Sequence, residues 1–538
     1  MTSRCQLALG VSALALAAAT LAAPATARTI YLPLSHGIYR APIHALHHVG
    51  PYLPPYVDRD PKSKSGTWTD IKGSLPFVDG PDTALQLTDG TVIEHDYCAS
   101  EWFKLTPDKK GKYETGTWSA IASLPAGYFP FFFASQVMPD GRVLMNGGEY
   151  NSAEHTCGSG AWTNKGALYD PVANSWTSVS PPAGWARIGD AQSIVLPNGS
   201  YMLANCCSNQ NTIASISGTT VTWTNTGSGK GDENDEEGWT ALPGGSVLTV
   251  DANRALTGGP NDVEIYTTKK GTWTTVGTTF SELVDPTSHE LGPAVLRPDG
   301  NVIYFGATTN NNLYNTSTGT WTAAPAFPDS GYDVADGPAA LLPDGNVLVQ
   351  ASPGVFGTPS HFYEFSLSKK GKASLVNVND PSSATTISSF EGRMMNLPTG
   401  QILWSNDGQA GTPEVATYTP QGKAKASWLP SVSTMPSKLT RGSTNNAFAG
   451  TNFNGFSLGG TYGDDAQEAT NFPLVRVTNT STGDVCFAKT HSFSTMGVFT
   501  SGTTTAQFDV PSTCETGAST VQVIVNGLAS AATNVTVK

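Results

Sequence analysis

Acidic residues recur at one place in this 538-residue chain, just ahead of short apolar strands that end in a Pro-Asp-Gly-like turn. Asp79 and Asp82, Asp190, the run Asp235-Glu236-Glu237, His289-Glu290, Asp333 and Asp336, and Glu391 with Arg393 all stand there. Carboxylates brought together admit three kinds of chemistry. They can hold Ca²⁺, which takes about 6 to 8 oxygen ligands in flexible geometry, and Asp235, Glu236 and Glu237 are the metal candidates. They can raise one another's pKa and so set a general acid beside a general base, with Asp190, Glu290 and Glu391 as candidates. Two such carboxyls flanking a glycosidic bond suit hydrolysis. A base with neutralising cations, for which His289 and Arg393 are candidates, suits elimination from a uronic acid chain. The plain alternative is that each carboxylate caps a strand end, accepts backbone N–H bonds and stays solvated. A run such as DENDEE is by itself a solvated loop. One repeat carries the aromatic block YFPFFF in place of the acid. Tyr128, Phe131 and Phe133 could stack on a sugar ring beside Asp82 and Asp336, or pack as strand core.

The elements that must position these groups are repeated. Turn glycines fall at Gly90, Gly141, Gly199, Gly245, Gly300, Gly345 and Gly400, spaced 45 to 58 residues apart. Each turn joins two apolar strands, as a hairpin with positive φ at glycine requires. A strand with Tyr and then Trp seven residues later follows several copies: Tyr169/Trp176, Tyr266/Trp273 and Tyr314/Trp321. Four strands per repeat of about 50 residues predict a seven-bladed kelch-type propeller over residues 64–432. Trp68 precedes the first hairpin, and its strand is predicted to close the ring as the outer strand of the seventh blade, removing an open edge. Residues 433–538, with alternating strands and a cysteine pair, predict an immunoglobulin-like β-sandwich. The fold class is all-β, in keeping with 56 Gly, 36 Pro and only 14% charged residues. A net charge of −13 excludes a nucleic-acid partner, whose phosphates need a basic face.

Residues 1–27 read as a secretory signal peptide: Arg4, the apolar stretch LALGVSALALAAATLAA, and Ala25-Thr26-Ala27 for cleavage. No later apolar run is long enough for a transmembrane segment. The expected address is secreted, periplasmic or cell-surface. Residues 28–63 read as an extended arm along the propeller, where His44, His47 and His48 offer a weaker metal alternative. Six cysteines then remain in an oxidising compartment. Cys486 pairs naturally with Cys514, and Cys98 with Cys157. Adjacent Cys206 and Cys207 form either a vicinal disulfide or two buried thiols.

The C-terminal stretch TYGDDAQEATNFPLVRVTNTSTGDVCFAKTHSFSTMGV, behind seven such repeats, resembles the galactose oxidase-like kelch proteins, and the likeness covers residues 64–538. That resemblance implies that the acidic positions open at the axial mouth of the propeller. It also implies one copper held by two tyrosines and two histidines, with a cysteine cross-linked to one tyrosine. Here the matching positions hold Pro81, Phe132 and Phe390-Glu391, and His491 alone remains as a ligand. Phenyl rings supply no phenolate, so copper radical chemistry is not expected. The expected function is recognition or processing of extracellular polysaccharide or surface glycan at an acidic axial mouth, by a monomer, with Ca²⁺ as the cofactor the carboxylates suggest. The rival readings are a lyase or hydrolase proper, a protein-binding surface scaffold, and last a copper radical oxidase.

Overall fold

A hairpin turn that needs positive φ selects glycine, because only glycine adopts that conformation without a Cβ penalty. All seven repeat glycines do so, with φ between 77° at Gly90 and 87° at Gly245. The computed structural model describes residues 65–157, 162–253 and 260–538. The expected leader and arm, with His44, His47 and His48, lie outside the described residues.

Each turn links the first two strands of a four-stranded antiparallel sheet, and seven such sheets form a β-propeller. The leading strands are Pro81–Gln86, Ala134–Val137, Ser193–Val195, Thr240–Ala241, Ala294–Leu296, Ala339–Leu341 and Gly392–Asn396. They neighbour one another around the axis, so they are the innermost strands. The first described strand, Thr67–Asp70, pairs antiparallel with Glu414–Thr419 and supplies the fourth strand of the seventh blade. Ring closure of this kind ties the first described strand to the last blade.

The Tyr-Trp spacing reports cross-strand register. Tyr169 faces Trp176, Tyr266 faces Trp273 and Tyr314 faces Trp321 across each outer hairpin. Their ring centroids lie 4.8, 5.4 and 5.0 Å apart. Trp68 and Tyr418 make the same pair at 5.0 Å from opposite ends of the propeller. Such pairs contribute roughly 0.5–1.5 kcal/mol beyond their buried area. Several of these tryptophans also tie their blade to the one before. The indole N–H donates from Trp176 to the Ala122 carbonyl, from Trp223 to Ser180, from Trp273 to Asn211 Oδ1, and from Trp68 to Asn379.

The C-terminal strands, from Ser431–Thr434 to Thr533–Val537, form a β-sandwich around Phe448, Phe453, Val475, Phe508 and Val521. Cys486 and Cys514 are disulfide-bonded there, and Cys98 and Cys157 join blades one and two. Two disulfides fit an extracellular, oxidising location. Among the described residues no helix is long and apolar enough to cross a membrane. The sandwich does more than follow the ring. Its strand Gly460–Thr461 pairs with Ala339–Leu341, the innermost strand of blade six, and so delivers the following residues, Tyr462 to Glu468, to the propeller axis.

Candidate functional site

Where a loop turns into an innermost strand, the chain must bend sharply. Blade five does this at His289, φ 68°, and three blades do it at one equivalent position: Phe132 at 50°, Glu236 at 58° and Asp336 at 53°. Each such residue costs about 1–3 kcal/mol and persists only where its surroundings fix it. All three stand seven residues before the turn proline of their blade. In two of them the strained residue is acidic and points into a common centre.

That centre contains Glu236 from blade four, Glu290 from blade five and Asp336 from blade six. One carboxylate oxygen from each lies within 4.8 Å of the others. A second group, Asp190 from blade three, Glu236 and Asp464, meets the same limit. Asp464 comes from the sandwich loop. Close approach is built into that loop, because a Cβ on Gly463 would stand 2.2 Å from Asp336 Oδ1. All five side chains are at most 3% exposed. Apart from the carboxyl–carboxyl contacts of Glu290 with Asp336 and Glu236, no oxygen of Glu236, Glu290 or Asp336 meets a hydrogen-bond donor among the described residues, nor does one oxygen each of Asp190 and Asp464.

Burial first, and then mutual repulsion, raises these carboxyls. Asp336 is pushed up to about 8 and Asp190 to about 7, while Glu236, Glu290 and Asp464 rise well above the ordinary range. A buried, unpaired carboxylate is costly, so such a group holds either protons or cations.

Arg393, whose charge reaches Asp336, is already committed. Its Nη2 pairs with Asp82 Oδ1 at 2.7 Å, its Nη1 donates to the Phe390 and Gly392 carbonyls at 2.8 Å, and it lies over the Tyr462 ring at 3.9 Å. Lys230 is buried in a separate nest, 2.9 Å from both Glu237 and Glu264, with Asp232 and Asp251 alongside. Three consecutive residues therefore serve three clusters. Glu236 faces the axis, Glu237 faces Lys230, and Asp235 accepts from the Cys207 thiol at 3.2 Å. The expected contiguous metal triplet Asp235-Glu236-Glu237 is divided because Glu236 takes a left-handed backbone, which turns its neighbours apart. Cys206 and Cys207 are free thiols, their sulfurs 2.7 Å apart, in place of the vicinal disulfide.

The other expected groups are dispersed. Glu391 accepts backbone N–H bonds from Ser388 and Ala410, both at 2.9 Å, so its carboxylate caps a turn, and burial pushes it up to about 7. His289 Nδ1 contacts Asn253 Oδ1 at 2.5 Å. Asp79 pairs with His155 at 2.7 Å, and Asp333 is buried next to Val334 with its carboxyl pushed up to about 8 by that burial. The block YFPFFF turns inward in place of forming an open stacking wall. Phe131 stacks on Phe132 and Tyr97, Phe133 packs in the blade core, and Tyr128 donates its hydroxyl to the Gly147 carbonyl. Asp190, Glu290 and Asp336 are thus brought together, whereas Glu391, His289, Arg393 and Asp82 are held elsewhere. His491, expected as a residue that could reach the axis, lies on a sandwich strand against Asp509 at 3.1 Å. Asp464 was legible only as part of YGDD, since its partners come from another domain.

No family model and no curated protein sequence matches the chain. Among solved structures, it is similar to a fungal alcohol oxidase of the AA5 family in complex with copper, at 13% identity and a TM-score of 0.49, covering 88% of this chain and 99% of that one. YjhT is 14% identical with a TM-score of 0.39, over 57% of this chain and 99% of that chain. The extracellular domain of BT4673 from B. thetaiotaomicron is 10% identical with a TM-score of 0.43, over 88% of this chain and 60% of that chain.

Proposed function

We propose that this is a kelch-type propeller protein acting outside the cell, which recognises or processes carbohydrate at its acidic axial centre. The observation that supports this reading is the convergence of Asp190, Glu236, Glu290, Asp336 and Asp464, with oxygens that no protein donor reaches. A polyhydroxyl ligand brings many O–H donors and suits a group of acceptors of this kind. Asp190 and Glu290, on either side of Glu236, are the pair for acid–base work on a glycosidic bond. The signal-like leader and the two disulfides support the address.

Copper radical chemistry is not part of the proposal. Phe132 and Phe390 stand at the positions where the galactose oxidase-like pattern has tyrosines, and both pack in one aromatic cluster. Neither can ligate a metal or carry an oxidisable phenol.

The test is size-exclusion analysis of neutral and acidic polysaccharides before and after incubation with the protein. At least one chain is expected to be shortened, or to retard the protein as a complex. Glu290→Gln and Asp190→Asn should each lose that effect at least tenfold. If every polysaccharide stays intact and unbound, the carbohydrate reading is wrong.

A further inference from the structure

The two acidic groups at the axis share one residue. Asp190, Glu236 and Asp464 form one triad, Glu236, Glu290 and Asp336 the other. We infer that the axis is a two-cation centre in which the Glu236 carboxylate bridges a pair of Ca²⁺ ions.

Distance comes first. Ca²⁺–oxygen bonds run about 2.3–2.6 Å, so two oxygens on one ion are at most about 5 Å apart. Both triads fall inside that limit, with their ligand atoms within 4.8 Å of one another. Chemistry comes second. Every donor is a carboxylate oxygen, and no histidine or cysteine belongs to either triad, which selects a hard cation over copper or zinc. The irregular arrangement of side chains from four blades and a loop suits the flexible coordination of Ca²⁺ better than the strict octahedron of Mg²⁺.

Charge decides the number of ions. Five carboxylates form the two triads, Asp465 adds a further buried acid acting on Asp190 and Asp336, and the neighbouring cations are spent, Arg393 on Asp82 and Lys230 on Glu237 and Glu264. One divalent ion would leave three of the five triad charges unbalanced in a buried space; two leave one.

Asp464 provides the separate observation that points to a ligand. It belongs to the sandwich and is only 3% exposed, one of its oxygens has no hydrogen-bond partner, and it contributes an oxygen to the first triad. Repetition of the blade pattern does not account for its presence. An acidic loop driven into an acidic channel is repelled unless something positive lies between.

The experiment uses the full chain, stripped with chelator and titrated with CaCl₂ alone at pH 7.5, by calorimetry and by metal analysis after desalting. Two Ca²⁺ per chain are expected. Glu236→Gln should lose both, whereas Asp464→Asn and Glu290→Gln should each lose one and keep the other. The single-ion variants keep the test decisive if Glu236→Gln does not fold. A stoichiometry of zero or one in the unsubstituted protein overturns the bridged pair, as does an unchanged stoichiometry in Glu236→Gln. No carbohydrate enters the measurement, so its failure is separate from failure of the carbohydrate reading.

Discussion

Asp96 accepts backbone N–H bonds from Val78, Asp79 and Gly80 at 2.7, 2.9 and 2.8 Å, which fixes the approach to blade one. Asparagine would turn an N–H₂ toward some of those donors. Asp96→Asn should therefore cost about 1–3 kcal/mol in a urea titration, the penalty of unsatisfied buried groups. Two residues earlier on the same strand face, Glu94 is fully buried, and burial pushes its carboxyl up to about 8, with Ser405 opposing and Asp82 reinforcing. The unfolded chain releases that proton near 4.5, so the folded state binds more protons between the two values. Its stabilising contribution is full below 4.5 and is lost as pH rises through 8. Asp333, raised from 3.8 to about 8, acts with the same sign. His95 acts oppositely, being lowered from 6.5 to about 4, but its effect ends above 6.5. In chelator, the melting temperature should thus fall between pH 6.5 and 8.5, and Glu94→Gln should make that fall shallower. A flat profile in the unsubstituted protein would contradict the assignment. At this scale the sequence was partly readable. Spacing from the turns located Asp190, Glu236, Glu290 and Asp336, but not the direction each side chain takes. Glu391 has the right spacing, yet spends its oxygens on Ser388 and Ala410.

Among the elements, the outer hairpins carry the clearest signal. A Tyr-Trp interval of seven residues is what a tight hairpin needs to set the two rings opposite each other, so the interval encodes register directly. The pair Tyr418–Trp68 lacks that interval and depends on the ring closing. Trp68→Ala should therefore cost about 3 kcal/mol, the usual price of a large aromatic truncation, and should expose the start of the propeller to protease. Trp68→Phe should restore most of the loss while forfeiting the bond to the Asn379 carbonyl. Equal protease resistance in Trp68→Ala would mean that the seventh blade is held by its backbone ladder alone. The inward turn of YFPFFF was not readable in this way. Alternation predicts that half the rings are buried, whereas positive φ at Phe132 breaks the alternation, and Phe131, Phe132 and Phe133 are all buried while Phe129 is half-buried.

For the whole molecule, propeller and sandwich were legible as successive units from composition and turn pattern. Their interlocking was not, because no local pattern in YGDDAQE names a partner on blade six. Gly460–Thr461 extends that blade, and Gly463 lies too close to Asp336 to carry a side chain. Heating should therefore give one calorimetric transition for both units. Gly463→Val should lower it and leave the sandwich disulfide intact, while two separate transitions in the unsubstituted protein would show that the docking is weak. Ring closure also has a meaning in time. Gly66 and its hydrogen-bond partner Tyr418 are 352 residues apart. At about 5–20 residues per second, the first strand waits on the order of 20 to 70 s of synthesis for its neighbour. The acidic loop emerges later still, so a chain interrupted before it lacks Asp464 and with it the first triad. Whatever chemistry needs both triads is withheld until that loop has been made.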